Sequence, residues 1–382
     1  MTQKQPRPKK ILHVMPSLDV GGVEKGMMDI YAHLAPQGYQ CDVMVEQESV
    51  GDLGQKWRSL GGGVHAIGRF KSWRFCVRFM RCVKQNGPYD AVHSHCYFFS
   101  GLVMALASFA RVPRRIAHLH SAHRAHKASL FSLCYYSVLR RLISVFATRI
   151  LAVSTAAAQD FAGEDWAQNK KIAIQPLGID FDAFKAAQGT DERLLGDLAI
   201  AHDAKCLVHI GRFTQEKNHR FIITLFENLY AAGTVSHLIL IGEGRLKTEL
   251  ERDPRISKLV KAGAIIFTGL RHDCPALLSA LHGRGLFVFP SLYEGFGLAA
   301  VEAQCAGLPV LASTHVPADV AIIPHYFKQL ALSAPLSEWT MAAQTLLAQT
   351  PLTAGQCTAY MQESGLSVQK AAAALRGYYE EA

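Results

Sequence analysis

Residues 289–303, with the sequence FPSLYEGFGLAAVEA, decide the fold class of this chain. An apolar strand pattern that ends at Phe289 is followed by a turn containing Gly295 and Gly297, and then by an apolar helical pattern. A strand, a turn and a helix in that order form a βα unit, and glycines in the turn let backbone N–H groups approach a ligand closely. The segment therefore predicts a ligand site at the carboxyl end of a parallel strand.

Two glutamates in this segment require polar partners. Glu294 lies in the turn, and Glu302 follows eight positions later inside the helical pattern. A carboxylate among apolar residues is costly to bury unless it is hydrogen-bonded, and ligand hydroxyls such as those of a ribose are suitable donors. The alternative is structural: one glutamate caps the helix and the other is partly exposed.

The same alternation of strands and helices extends along most of the chain. Twelve short apolar runs are bounded by turn residues and followed by longer helical patterns, which is typical of parallel sheets. The predicted strands are residues 11–16, 41–46, 64–67, 91–95, 115–120, 150–154, 171–176, 206–213, 237–244, 265–269, 286–291 and 309–313. After Val320 the patterns are helical.

Twelve strands are too many for one compact sheet, so we predict two domains. The strand-poor stretch 176–205 separates an N-terminal Rossmann-like domain, residues 1–185, from a second one, residues 186–365. Residues 366–382 contain a helical pattern that we expect to pack back onto the N-terminal domain. A chain of 382 residues can form both cores without disulfides or metals.

The composition indicates a globular protein of a reducing compartment. Hydrophobic residues make up 49% of the chain and charged residues 19%, and the nine cysteines form no C-x-x-C pair. The first apolar run, Ile11–Met15, is too short for a signal peptide. Residues 91–110 carry no Lys, Arg, Asp or Glu, but His93 and His95 favour a core strand and a buried helix over a membrane span.

The positive charge is concentrated in the N-terminal half. Residues 1–185 contain 24 Lys and Arg against 13 Asp and Glu, a balance of +11 within a total of +9. In the helical pattern at 69–84, Arg74, Arg78 and Arg81 share one face, with apolar residues on both sides. This arrangement favours docking on an anionic membrane surface, although a core helix with solvated arginines also explains it. We expect a cytoplasmic protein, peripheral at the inner face of the cell membrane.

Two further turns carry residues suited to anions. Gly21 and Gly22 follow the first strand and precede a helix, where backbone N–H groups favour an anion, although a tight turn is the simpler explanation. After the first strand of the second half, Arg212 and Lys217 flank a strand-to-helix turn and could close on a diphosphate from two sides. A solvated loop is the alternative for this pair.

Several motifs together resemble those of the retaining family-four glycosyltransferases of the GT-B fold. The segment 289–303 resembles the family signature, and the turns at 21–24 and 211–218 resemble its N-terminal turn and its diphosphate clamp. Smaller matching pieces lie at 153–154, 177–180, 241–244, 267–269 and 307–310. Residues 115–121 and 319–339 are similar to exopolysaccharide and capsule glycosyltransferases in particular.

This resemblance implies a role for each matching residue. Glu302 would bind the ribose, and Glu294 with the following backbone would hold hydroxyls of the donor sugar. Arg212 and Lys217 would neutralise the diphosphate, and His120 would lie near the anomeric centre. The implied catalytic residues are His120, Arg212, Lys217 and Glu294. The implied donor-binding residues are Gly21, Gly22, Arg212, Lys217, Glu294, Gly295, Phe296, Gly297, Leu298 and Glu302.

The resemblance also implies an enzyme whose two domains face each other across a cleft. It would transfer one sugar, with retention, from a nucleotide sugar to a glycan or lipid-linked acceptor in exopolysaccharide, capsule or lipopolysaccharide synthesis. The two cations imply that no metal ion and no other cofactor is needed. We favour same-face attack over a covalent intermediate, because no carboxylate of the motif is clearly placed as a nucleophile.

Two metal sites are alternatives. Histidines that are close in sequence could bind zinc, although no acidic or thiol partner is interleaved with them. The histidines concerned are His93, His95, His118, His120, His123 and His126. Asp180 and Asp182 form an Asp-x-Asp pair, as in metal-dependent GT-A transferases.

Two other classes of protein are weighed as well. A nucleic-acid binder is disfavoured, because the basic half lacks interleaved basic and aromatic residues. A non-catalytic regulator that binds sugar nucleotides or polysaccharide on the same scaffold is the remaining alternative. The implied site residues His120, Arg212, Lys217, Glu294 and Glu302 are all intact, which opposes it.

Overall fold

The computed structural model describes residues 7–19, 21–46, 52–70, 72–121, 130–187 and 193–381. The chain forms two compact units, of which unit 1 contains residues 1–179 and 368–382 and unit 2 contains residues 180–367. The expected boundaries were residues 185 and 365. The first lies earlier because the helix Phe181–Ala187 packs against helices of unit 2.

Thirteen β-strands lie within the described residues, and all are short. They are β1 (Lys9–Val14), β2 (Tyr39–Val45), β3 (Val64–Ala66), β4 (Ala91–Ser94), β5 (Arg114–Leu119), β6 (Arg149–Ala152), β7 (Ile172–Ile174), β8 (Cys206–Ile210), β9 (His237–Ile241), β10 (Ile265–Gly269), β11 (Gly285–Phe289), β12 (Val310–Ser313) and β13 (Phe327–Leu330). Twelve correspond to predicted strands, and β13 does not. Its sequence FKQL lies at a sheet edge with no residue buried, so its pattern is weak, and the prediction of helices alone after Val320 is wrong.

Sixteen α-helices connect these strands or follow them within the described ranges. They are α1 (Gly22–Leu34), α2 (Asp52–Ser59), α3 (Arg74–Asn86), α4 (Ser100–Phe109), α5 (Leu130–Phe146), α6 (Thr155–Ala162), α7 (Phe181–Ala187), α8 (Arg193–Gly196), α9 (His219–Ala231), α10 (Lys247–Arg252), α11 (Pro254–Lys261), α12 (Cys274–Ala280), α13 (Leu298–Cys305), α14 (Leu336–Leu347), α15 (Ala354–Ser364) and α16 (Val368–Glu380).

Unit 1 is built on a seven-stranded parallel sheet in the order β3-β2-β1-β4-β5-β6-β7. The chain moves outward from β1 to β3 and then returns to β4, so the direction of winding changes between β1 and β4. Right-handed crossovers therefore place α1 and α2 on one face of the sheet and α3 to α6 on the other. Helix α16 packs against α1, so the last helix belongs to unit 1.

Unit 2 repeats this plan with a six-stranded parallel sheet in the order β10-β9-β8-β11-β12-β13. Here the direction of winding changes between β8 and β11. Its apolar core includes Phe213, Phe226 and Trp339, all fully buried. The indole N–H of Trp339 donates to the carbonyl of Ala331 at 3.2 Å, so even this large side chain is satisfied.

The uncharged stretch 91–110 forms β4, a short turn and the ten-residue helix α4. Ser100, Val103 and Met104 of α4 are fully buried against the rest of unit 1. The predicted core strand and buried helix are therefore confirmed. Among the described residues, no helix combines the length and the apolar character that crossing a membrane requires.

Candidate active site

Hydrogen bonds join two loops of unit 2 at the point where the direction of winding changes. The loop after β8 ends in a turn at 215–217, and the loop after β11 leads into α13. The N–H of Leu292 donates to the carbonyl of Glu216 at 2.8 Å, and the amide of Asn218 donates to the carbonyl of Pro290 at 3.2 Å. Ligands of parallel α/β sheets bind at such a switch point, so the fold places both predicted segments where a ligand is expected.

Lys217 and Glu294 meet across these two loops. The Lys217 Nζ lies 2.5 Å from Glu294 Oε1 and 4.9 Å from the centre of the Phe289 ring. Both side chains are largely shielded, at 21% and 11% exposure, so the pair is stronger than a surface ion pair. The ring and the carboxylate together hold the ammonium group at the carboxyl edge of the sheet.

Arg212 lies on the same loop but in a different environment. Its side chain is exposed, and it takes part in no ion pair within the described part of the chain. A Cβ on Gly211 would lie 3.2 Å from Lys217 Cγ, so a small residue at 211 lets the Lys217 stem pass. The structure therefore brings Lys217 to Glu294 and leaves the Arg212 guanidinium in contact with solvent.

Helix α13 begins at the turn that carries the glycines. Gly297 has φ +105°, which strains any residue with a Cβ, and that Cβ would also lie 3.1 Å from the Phe289 ring. Within the described residues, no side-chain cap is found at this helix start. The Ala300 N–H donates to the Gly297 carbonyl at 2.9 Å, and the two N–H groups before it can serve a ligand. Glu302 is half-buried in this helix beside the buried Val301 and Ala303, as its sequence context predicts.

The glycine turn of unit 1 follows β1 and leads directly into α1. Helix α1 begins at Gly22, and Gly21 precedes it in extended conformation without a side-chain cap. A Cβ on Gly21 would lie 2.3 Å from Glu24 Oε2, so this carboxylate folds back over the turn. The turn is therefore a helix N-terminus that already has an acidic side chain close to it.

Five histidines line one face of the unit 1 sheet near its carboxyl edge. They are His13, His93, His95, His118 and His120. The register pairs His13 with His93 and His93 with Ile116, and residues two apart on a strand share a face. Four of these five belong to the histidines considered as an alternative zinc site, and His13 does not. The other two of that set, His123 and His126, lie outside the described residues.

These histidines form two hydrogen-bonded chains. In the open chain, His13 Nδ1 lies 3.0 Å from His95 Nε2, and His95 Nδ1 lies 2.8 Å from His120 Nε2. In the closed chain, the Tyr379 hydroxyl lies 2.7 Å from His93 Nδ1, and His93 Nε2 lies 3.2 Å from His118 Nδ1. The closed chain ends where His118 Nε2 donates to the Gln175 carbonyl at 2.8 Å.

All five imidazoles are held neutral by their surroundings. Burial lowers the pKa of His13 to about 3 and that of His118 to about 4. Burial, reinforced by the neighbouring histidines, lowers the pKa values of His93, His95 and His120 well below the usual range. The face therefore offers uncharged hydrogen-bonding groups at neutral pH.

The histidine nitrogens are close enough together for a metal site, but most of them already take part in hydrogen bonds. Nitrogens of His95, His118 and His120 lie within 4.8 Å of one another, as do those of His13, His93 and His95. Both nitrogens of His93, His95 and His118 already take part in hydrogen bonds to other rings, to Tyr379 or to Gln175. These rings are thus satisfied without a cation.

The Asp-x-Asp pair has local partners of its own. Asp180 Oδ1 accepts from the N–H groups of Asp182 at 3.1 Å and Ala183 at 3.3 Å, so it caps helix α7. Asp182 points outward and pairs with Lys185 at 3.3 Å. The two carboxylates therefore serve the helix, which accounts for both without a metal.

The basic helix predicted at 69–84 is α3, and its two apolar sides differ. Phe75 and Phe79 are buried in unit 1, whereas Trp73 is 77% and Val77 53% exposed. Arg74, Arg78 and Arg81 were predicted to form one basic face, but Arg78 is only partly exposed. Its guanidinium donates to the Ile67 carbonyl at 2.5 Å. The exposed surface of α3 therefore combines apolar side chains with Arg74 and Arg81.

Sequence reasoning missed two members of the histidine chains. His13 and Tyr379 are far from the other members along the chain, and only the strand order and the return of α16 bring them together. A usable signal exists for His13: it sits near the end of β1, as His95 follows the end of β4, and these strands are neighbours.

Comparison with known proteins identifies the two halves. Residues 20–183 match the family described as Glycosyltransferase Family 4, and residues 191–347 match Glycosyl transferases group 1. EpsF of Bacillus subtilis, a protein assigned as a glycosyltransferase, is 30% identical over 335 residues, covering 87% of this chain and 86% of EpsF. This chain belongs to the family-four glycosyltransferases.

Two further comparisons give a second relative and the fold. The capsular polysaccharide biosynthesis glycosyltransferase CapH of Staphylococcus aureus is 23% identical, over 87% of this chain and 89% of CapH. The crystal structure of HepE from Anabaena, in complex with UDP and glucose, has a TM-score of 0.75 at 20% identity, covering 96% of this chain and 98% of HepE. The predicted GT-B fold class is confirmed, and the catalytic interpretation is favoured over the non-catalytic regulator.

Proposed function

We propose that this glycosyltransferase transfers one sugar from a nucleotide sugar to a glycan or lipid-linked acceptor of a cell-envelope polysaccharide. The observation that carries the proposal is the Lys217–Glu294 pair at the switch point of unit 2. Glu294 lies on the segment that resembles the family signature, and Lys217 lies on the turn that resembles the diphosphate clamp. The names of the relatives agree with it, since CapH acts in capsular polysaccharide biosynthesis and HepE binds UDP and glucose.

Unit 2 is proposed to hold the nucleotide and its diphosphate. Lys217, fixed by Glu294 and by the Phe289 ring, would face the negative charge that develops on the leaving diphosphate. Arg212, exposed and without an ion pair among the described residues, is free to close on the same phosphates. Glu302 would accept hydrogen bonds from the ribose, and the backbone of residues 295–298 with Glu294 would hold the sugar.

Unit 1 is proposed to contribute neutral groups and the turn at Gly21. Gly22 would donate its backbone N–H to the diphosphate, and His120 would lie beside the donor sugar near the anomeric centre. Transfer would proceed with retention: the acceptor hydroxyl attacks from the side that the diphosphate leaves, and its proton passes to the departing phosphate oxygen. The two cations would carry the leaving-group charge, so no metal ion or other cofactor is required.

The proposal is tested by the donor and by the product. A panel of UDP-, GDP- and ADP-sugars is screened by thermal shift, because a ligand at a hundred times its Kd stabilises by about 2.7 kcal/mol. The donor that shifts the wild type should shift Lys217→Ala much less and should be hydrolysed slowly without acceptor. Proton NMR of the first product formed should show the anomeric configuration of the donor. No shift with any donor, or an inverted product, would refute it.

We further propose that unit 1 docks on an anionic membrane surface from the cytoplasmic side. Residues 69–146 contain 13 Lys and Arg and one acid, Asp90. Within the described residues of unit 1, every large apolar side chain that is exposed lies on or beside α3, α4 or α5. They are Trp73, Val77, Met80, Phe109, Leu133, Tyr135, Tyr136, Val138 and Val145. Basic and apolar side chains on one set of helices suit lipid headgroups and the acyl boundary beneath them.

A further inference from the structure

The two histidine chains differ in how firmly the protein fixes their protons. A neutral imidazole carries one N–H and one bare nitrogen, so each bond between two rings needs a donor on one ring and an acceptor on the other. The direction of every bond in a chain therefore follows from the direction of any one of them. What lies at the end of each chain decides that direction.

A backbone carbonyl fixes the proton positions in the closed chain. The Gln175 carbonyl can only accept, so His118 donates from Nε2 and its Nδ1 is bare. His93 must then donate from Nε2 to His118, and the Tyr379 hydroxyl donates to His93 Nδ1. Both histidines of this chain are Nε2–H tautomers, and no ligand is needed to select them.

The open chain has two consistent forms. If His13 donates from Nδ1 to His95, then His95 donates from Nδ1 to His120, and all three rings are Nδ1–H tautomers. If His120 donates from Nε2 instead, all three rings are Nε2–H tautomers. Any mixture of the two breaks one of the bonds in a buried site, which is unfavourable.

At its His120 end, the open chain stops at an atom that can select between these forms. His120 Nδ1 is shielded from solvent and has no hydrogen-bond partner within the part of the chain that the structure describes. In the first form this atom is a donor, and in the second it is an acceptor. A group that binds there therefore sets the tautomers of three rings on three neighbouring strands.

We propose that His95 is a positioning residue that orients the His120 ring and couples its tautomer to that of His13. The proposal rests on the proposed role of His120 beside the donor sugar. In this role the Nδ1 atom of His120 meets the sugar in one fixed orientation, with one defined hydrogen-bonding character. The hydrogen bond made by the second nitrogen of a histidine commonly fixes the tautomer of the first.

The tautomers can be measured without turnover, by long-range ¹H–¹⁵N correlation spectra of protein labelled with ¹⁵N-histidine. In the wild type, His93 and His118 should both be Nε2–H, and His13, His95 and His120 should all share one tautomer. In His95→Phe the coupling is lost, and His13 and His120 should no longer share one tautomer. In His95→Gln the amide can donate and accept, so the coupling should be largely restored.

Turnover gives the second readout. With UDP-glucose, UDP-galactose and GDP-mannose as probes, His95→Phe should lower kcat of the accepted donor about 10- to 100-fold, because His120 is misplaced, while its KM changes less than about threefold. His95→Gln should recover most of the loss. The matched control is His93→Phe, which breaks the hydrogen bonds of the closed chain. This variant should leave the His120 tautomer unchanged and keep kcat within about threefold of the wild-type value.

Mixed tautomers among the three open-chain rings of the wild type would overturn the proposal. So would equal losses of kcat in His95→Phe and His93→Phe, because that result indicates a packing effect. Failure of the wild type to turn over any of the three donors would instead count against the proposed function. The tautomer pattern would still decide the coupling in that case.

Discussion

The switch points of the two units have similar positions in their sheets, but one carries charged side chains and the other carries uncharged ones. In unit 2, the loops after β8 and β11 bring together the charged groups Lys217 and Glu294. In unit 1, the strands β1, β4 and β5 carry histidines near or just beyond their carboxyl ends, and burial keeps these histidines neutral. The difference favours separate roles for the two sets of side chains. Lys217 is suited to the charge of a diphosphate, and the histidines of unit 1 are suited to directional hydrogen bonds with an uncharged sugar.

Removing the cations of unit 2 should have the largest effect. Lys217→Ala and Arg212→Ala should each cost about 2–4 kcal/mol of transition-state stabilisation, since leaving-group charge is then uncompensated. The measurement is kcat/KM for the accepted donor, with EDTA present throughout. Arg220→Ala is the control, because this exposed arginine of α9 pairs with Glu249. Activity within threefold of wild type in both clamp variants, or a loss in EDTA that Mn²⁺ restores, would contradict the expectation.

How far sequence alone predicts this site depends on distance along the chain. The turns that carry Arg212 and Lys217 or Glu294 are local patterns, and they were located correctly. The contact between Lys217 and Glu294 spans 77 residues and depends on β8 and β11 being neighbours, which no local pattern contains. The same holds for α3, where only its neighbours decide that Phe75 is buried and Val77 exposed.

Substitutions of Glu294 and Glu302 in unit 2 should have different effects on nucleotide binding and on turnover. Glu302→Gln should weaken the free nucleoside diphosphate and the sugar donor alike, by about 1–3 kcal/mol, because its partner would be the ribose. Glu294→Gln should spare nucleoside diphosphate affinity and lower kcat, because it would lose a sugar contact while its amide oxygen can still accept from Lys217. Calorimetry with UDP and GDP, beside steady-state kinetics, measures both. Identical behaviour of the two variants would show that the division of roles is wrong.

Mild acid should lower the free energy of unfolding of unit 1 more than that of unit 2. Burial lowers the pKa of five histidines in unit 1, to about 3 for His13 and about 4 for His118, but of only two in the described part of unit 2, His209 and His219. Below the unfolded value of 6.5, unfolding therefore takes up more protons in unit 1 than in unit 2. Stability therefore falls as the pH drops from about 6.5 towards 4, by up to about 1.4 kcal/mol per pH unit for each such histidine. Hydrogen exchange of β4 and β5 against β8 and β11, corrected for intrinsic rates, at pH 7 and pH 5 measures this. Equal loss of protection in both sheets would contradict it.

The membrane surface of unit 1 should matter least for the chemistry. Arg74→Glu with Arg81→Glu should abolish flotation with phosphatidylglycerol vesicles at low salt, because each basic residue contributes about 1 kcal/mol there. Transfer to a soluble acceptor should stay near normal. Arg78 is left intact because it donates to the Ile67 carbonyl. Lys258→Glu with Lys261→Glu on α11 of unit 2 is the charge-matched control. Equal flotation on neutral and anionic vesicles would exclude the docking surface.

The separate roles of Lys217 and the unit 1 histidines are tested most directly by calorimetric titration of UDP and GDP into three proteins. These are the wild type, Lys217→Ala and His120→Asn. The nucleoside diphosphate that binds the wild type should bind Lys217→Ala at least tenfold more weakly, because a charge-assisted contact is lost. It should bind His120→Asn within about twofold of wild type, although that variant turns over the sugar donor poorly. Equal weakening in both variants, or no weakening in either, would contradict the account.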